Sequence, residues 1–237
     1  MKEFENTLEI LTTKREDELI KNLELKNFLQ YKLNKENILL EDLDNINEII
    51  LDSQNIIGQY NPVYFEEIDL FKNLEKISIR NLGLVPANIE KINNIKQVEF
   101  INSQIKDITK LNNIFSLILN NTEVDNFEEI IKLQKLEELQ LINMKINDFK
   151  FLQDLKNIKK LILKNIKNFS LEKIDFELQI EYLSVENLEN LNLDILSKFK
   201  NLKTISVDRM EADNWGNELK VLKDENIQIL LNDIYEY

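Results

Sequence analysis

The stretch LEELQLINMKINDFKFLQDLKN, residues 136–157, decides the fold of this 237-residue chain. Its apolar positions are Leu136, Leu139, Leu141, Met144, Ile146, Phe149, Leu152 and Leu155, and Ile158 opens the next unit. Alternation at Leu139 and Leu141 has the period of a strand, whereas the later steps of three suit a 3₁₀ or irregular helical turn on the way back. Such a coil cannot bury its own apolar edges and needs a similar neighbour above and below.

Both neighbours are present. Apolar residues at the first, fourth, sixth, ninth and eleventh positions recur from starts at Ile46, Leu74, Ile95, Ile114, Leu136, Ile158, Ile180 and Leu202. The intervals are 28, 21, 19, 22, 22, 22 and 22 residues. Agreement over four consecutive intervals marks a repeat array, which grows by addition and is exempt from the usual limit on domain size. The expected body is a single solenoid in which every coil is a strand plus a return arm.

The motif LxxLxLxxNxL is met at Leu136, Leu139, Leu141 and Ile146, and again at Ile114, Leu117, Leu119 and Val124. On these residues the chain resembles the leucine-rich repeat family, above all the bacterial 22-residue class of internalin-like proteins. The segment Phe28 to Ile56 is similar to the helical cap that precedes such repeats, and the resemblance covers about four fifths of the chain. It implies an α/β fold: a curved parallel β-sheet on the concave face, 3₁₀ or irregular helical return arms, and a helical N-terminal cap. It also implies a non-enzymatic module that holds a protein partner on the concave sheet. The divisions are 1–45 for the cap, 46–211 for the repeats and 212–237 for a C-terminal cap.

One departure is systematic. At the family's ladder asparagine this chain has Leu82, Ser103, Thr122, Met144, Ile166, Leu188 and Met210, and asparagine comes one residue earlier, at Asn81, Asn102, Asn121, Asn143, Asn165 and Asn187. The expectation is that apolar packing largely replaces the ladder. The displaced asparagines then turn the chain, tolerating left-handed backbone and bonding locally where only 3 glycines are available. The repeats drift at Asn168 and Asn190, so the return arms near Ile174 to Leu178 and Leu191 to Leu193 are expected to be irregular.

The ends must hide the open faces of the array. Residues 1 to about 33 read as two helices with a break around Thr12 to Lys14, Leu19 and Leu23 on one stripe and Phe28, Leu29 and Leu33 on an apolar face. Between Ile56 and Leu74, Gly58 and Pro62 mark a surface loop whose Val63, Tyr64 and Phe65 are expected to pack under the cap, a protruding binding loop being the alternative. At the far end Ile227 to Leu231 is expected to add one more strand, and Trp215 to seal the last coil.

Composition narrows the function. With 43 acidic and 30 basic residues the formal charge is −13, which disfavours phosphate backbones and anionic membranes as ligands. There are no cysteines and no histidines, so disulfides, thiolate sites and the commonest general base are absent. No phosphate-binding loop, nucleophile elbow or clustered metal ligands can be found, and no cofactor is implied. The acidic pairs Glu66 with Glu67 and Glu128 with Glu129 read as solvated turns of the return arms. The amino terminus lacks a basic start followed by an apolar run, so a protein whose natural start is Met1 is expected in the cytoplasm.

The candidate binding residues are those the strand period turns away from the core. The third, fifth and seventh positions give Gln97, Glu99 and Ile101; Ser116, Ile118 and Asn120; Glu138, Gln140 and Ile142; Lys160, Ile162 and Lys164; and Tyr182, Ser184 and Glu186. Ile101, Ile118, Ile142 and Ile162 then lie on a face expected to be solvated, near one another across adjacent strands, with Glu99, Glu138, Lys160, Lys164, Tyr182 and Glu186 as a polar rim. β-branched residues also suit strands for their own sake, so any one of these isoleucines means little by itself. The second reading is an acidic inhibitor or immunity-type protein blocking the basic cleft of a nucleic-acid enzyme.

Overall fold

A computed structural model describes residues 20, 23–52, 65–81, 83, 95–146, 149–166, 179–188, 199–208, 220, 222–223 and 226–232. The break at Thr12 to Lys14, Leu19, Gly58, Pro62, Val63, Tyr64, Leu82, Met210, Trp215 and the irregular return arms, with Asn168 and Asn190, lie outside these residues. Among the described residues nine strands form one parallel sheet: β1 (Glu48–Asp52), β2 (Lys76–Arg80), β3 (Gln97–Ile101), β5 (Ser116–Asn120), β7 (Glu138–Ile142), β8 (Lys160–Lys164), β9 (Tyr182–Glu186), β10 (Thr204–Asp208) and β11 (Gln228–Asn232). Two short strands, β4 (Gln104–Ile105) and β6 (Glu123–Val124), pair separately. Each strand from β1 to β10 in the large sheet begins two residues after one of the repeat starts read from the sequence, and β11 supplies the additional strand.

Register holds the coils in phase. Leu117, Leu139 and Leu161 lie opposite one another, as do Leu119, Leu141 and Leu163. These inward rows are sealed: from Ile49 and Leu51 in β1 to Ile205 and Val207 in β10 their members are at most 3 % exposed. Behind them run the 3₁₀ arms Ile108–Leu111, Phe127–Lys132 and Lys150–Asp154, which bury Ile108, Leu111, Ile130 and Leu152. Phe127 and Phe151 meet edge to face, ring centroids 4.8 Å apart. The core is therefore the layer between sheet and arms, and the opposite, concave face of the sheet is left for other uses.

The N-terminal cap is a helix, α1 (Leu23–Leu33), followed by a 3₁₀ turn at Leu40–Asn45. Leu25 and Leu29, four residues apart, are buried, while Phe28 and Leu33 pack partly against the core. Leu23 is 69 % exposed, so it does not share the packed stripe: Leu25, rather than Leu23, lies one helical turn before Leu29. Asp42 fixes the turn after the helix, accepting from the Leu39 amide at 3.0 Å and from Lys35 Nζ at 2.5 Å. Those bonds, that from Lys35 first, hold its carboxyl below the ordinary range against a smaller effect of burial. Of the two acidic pairs read as solvated turns, Glu67 is buried, whereas Glu128 is exposed and Glu129, paired with Lys132 at 2.9 Å, keeps its side chain 40 % exposed.

Candidate binding surface

The asparagines at the strand ends govern how the coils stack. Asn81, Asn102, Asn121, Asn143, Asn165 and Asn187 all have φ between 46° and 56°, the left-handed region where asparagine is the best tolerated residue after glycine. Their side chains bond from coil to coil. Nδ2 of Asn102 donates to Oδ1 of Asn81 at 2.9 Å, Asn121 to Asn102 at 2.8 Å, Asn165 to Asn143 at 2.7 Å and Asn187 to Asn165 at 2.8 Å. Asn81 ends the run on Asp52 at 2.7 Å, and Asn143 reaches Asn120 at 2.9 Å. From Asn81 to Asn165 each backbone N–H donates in the other direction, to a carbonyl of the following coil, at 2.8 to 3.0 Å. One residue thus ties its own coil to those on both sides.

Apolar packing does stand at the inward position in three coils, where Met144, Ile166 and Leu188 are buried, but the displaced asparagines do more than turn their own chain. A ladder exists, displaced outward by one residue onto the surface. The inward neighbours Ser103 and Thr122 satisfy carbonyls instead: Ser103 Oγ donates to Ile101 O at 2.9 Å, and Thr122 Oγ1 lies 3.1 Å from Phe100 O and 3.0 Å from Asn120 O.

The concave sheet brings together all the candidate residues, but not as an evenly solvated face. Ile118 is only 9 % exposed, and Ser116 and Ser184 are buried as well. Long side chains flank Ile118 in register, Glu99 on one side and Gln140 on the other, and neighbouring strands stand only about 4.8 Å apart. Ile101, Ile142 and Ile162 are half-buried. The four isoleucines do not lie opposite one another: Ile101 faces Asn120, Ile118 faces Gln140, Ile142 faces Lys164 and Ile162 faces Ser184. They form a zigzag, stepping between two rows from β3 to β8.

The rim around this zigzag is paired with itself. Glu138 binds Lys160 at 2.8 Å and accepts from Gln140 at 2.7 Å, and Lys164 binds Glu186 at 2.7 Å. Lys160 also stands 5.5 Å from the Tyr182 ring centroid, and Glu99 takes Arg80 at 3.2 Å together with the Ser78 hydroxyl. Burial raises the Glu138 carboxyl, but the bonds from Lys160 and Gln140 outweigh it and hold the group below its ordinary value. Along the outward positions from β1 to β10, six acidic residues (Glu48, Asp52, Glu99, Glu138, Glu186, Asp208) stand beside four basic ones (Lys76, Arg80, Lys160, Lys164). The sheet therefore carries an excess of two negative charges, little of the formal −13.

A second charged row was legible but missed. At the second position of successive repeats stand Glu75, Lys96, Phe115, Glu137, Lys159, Glu181 and Lys203. Lys96 pairs with Glu75, Lys159 with Glu137 at 2.9 Å and Lys203 with Glu181 at 2.7 Å. The bond from Lys203, then its charge, lowers the Glu181 carboxyl. Phe115 interrupts this row and is 45 % exposed, beside the concave sheet. The alternation of sign at a fixed repeat position was the available signal.

Among the described residues no group of three or more acidic side chains could hold a metal, and no helix is long and apolar enough to cross a membrane. No protein-family model matches the chain, nor does any curated protein. Solved structures do. An internalin, InlF, from Listeria monocytogenes superposes with a TM-score of 0.54 at 17% identity, over 81% of this chain and 57% of its own. A leucine-rich repeat protein of Leptospira interrogans gives 0.52 at 19% identity, over 84% and 58%. The chain thus spans less than two thirds of the length of either. At such identities the likeness establishes the fold, a leucine-rich repeat solenoid of the internalin kind.

Proposed function

We propose that this leucine-rich repeat solenoid is a binding module that holds a protein partner on its concave sheet, across the zigzag of Ile101, Ile142 and Ile162. One observation carries the reading: the charged side chains beside the zigzag already neutralise one another. Exposed ion pairs add little on further association, whereas covering the open half of each isoleucine contributes about 1 kcal/mol before ordering costs. Ile118 lies buried between Glu99 and Gln140 within the zigzag, and Tyr182, Glu138 and Lys160 form one flank. A fitting partner presents a ridge of apolar side chains with few charges, and the complex tolerates salt.

The test is affinity capture from host lysate by the wild type and by an Ile142→Asp, Ile162→Asp double variant, washed at low and high salt. Ile118→Asp is unsuitable, because a charge at a buried position would damage the fold itself. A partner kept by the wild type at high salt and lost by the variant supports the proposal. Capture that needs low salt and is equal for both forms sinks it.

A further inference from the structure

In every coil from β1 to β10 the second inward residue is sealed, from Leu51 to Val207, none more than 3 % exposed. Leu231 of β11 stands in register with Val207 and is 50 % exposed, and Leu230 beside it is 37 % exposed. Among the described residues no strand pairs with the outer edge of β11. The sequence of β11, QILLN, has no charge, which is the chemistry that natural sheets avoid at a free edge. At the other edge β1 carries Glu48 and Asp52 and is covered by α1.

We propose that β11 is a self-association edge: two copies of this chain pair their β11 strands antiparallel about a two-fold axis at Leu230. In that register Leu230 lies opposite its own copy, Ile229 opposite Leu231, and Gln228 opposite Asn232. Directly opposite residues of an antiparallel pair point to the same side, so the core-facing Ile229 and Leu231 of one copy meet those of the other. The two cores become continuous. The arrangement is isologous and closes at a dimer, which blunts both free edges at once. No like charges meet in it. The same operation on β1 would set Glu48 against Asp52, so the absence of charge singles out the edge at β11.

Sedimentation velocity on the full chain, from low to high micromolar concentration, tests this with Leu230→Asp and Leu230→Lys. Thermal melting of each variant confirms that it is folded. The expected result is a dimer for the wild type, a monomer for either variant alone, and a dimer again in their equimolar mixture, because only this register places position 230 against itself. A wild type that stays monomeric at every concentration overturns the proposal. So does a dimer indifferent to both substitutions, or a mixture of folded variants that remains monomeric.

Discussion

At its first strand the sheet is covered by α1, which buries Leu29 completely and sends Lys32 Nζ to the Glu48 carbonyl at 3.0 Å. At its last, Leu231 occupies the same inward row as Val207 and is half open. The coil chemistry is similar at both ends, so the difference is one of finishing: a repeat array propagates its own core until something of another kind stops it. The helix does this at one end by offering Leu25 and Leu29 instead of another strand.

The largest effect that would break this comparison is at the cap. Leu29→Ala should cost about 2–5 kcal/mol, as for other fully buried leucines, whereas Leu231→Ala should cost less than about 1 kcal/mol in dilute solution. Urea unfolding of both variants measures the two values. Equal losses would mean that the edge at β11 is covered in solution. A loss for Leu231→Ala that grows with protein concentration would point to a second copy as the cover.

A smaller effect sharpens the comparison by probing the middle of the array. Asn143 combines a φ of 52° with a side-chain bond to each neighbouring coil. Asn143→Ala loses the tolerated left-handed backbone and the ladder contacts, together about 2 kcal/mol, whereas Asn143→Gly relieves the backbone and should lose only about half as much. If the two variants unfold at the same urea concentration, the ladder rather than backbone conformation sets the value of the asparagine.

The smallest effect concerns acid. The Asp42 carboxyl is held below its ordinary value chiefly by the bond from Lys35. A group depressed in the folded state contributes stability above its unfolded pKa and loses it as pH falls through the folded one. Folding stability at the capped end should therefore be level through neutral pH and fall only below the usual carboxylate range. Asp42→Asn should be somewhat less stable at neutral pH and show a shallower acid decline. A variant with the wild-type acid profile would remove Asp42 from the account of the cap.

Much of the fold was legible because a repeat writes each constraint several times. All eight repeat starts read from apolar spacing are buried, and each precedes a strand by the same two residues. The displaced asparagines were legible as turn formers. Their ladder was not, because whether an amide bonds within its own turn or across to the next coil depends on the distance between coils. The site was read less well. Strand period placed Ile118 correctly on the concave face, but its burial comes from Glu99 and Gln140 on the flanking strands, twenty or so residues away in sequence. Leu23 was misplaced for a similar reason: the packed side of α1 is set by β1 beneath it, not by the helix alone.

By itself the sequence determined the period, the inward rows, the place of each repeat strand and the cysteine-free, histidine-free chemistry of the chain. These are local or repeated properties, set by residue type and spacing. Only the tertiary structure decided which outward residues remain open, which charges cancel, how the asparagines join the coils and which inward residue of the last described strand stays half open. Each of those depends on register between strands, and register brings together residues that no single window of sequence contains.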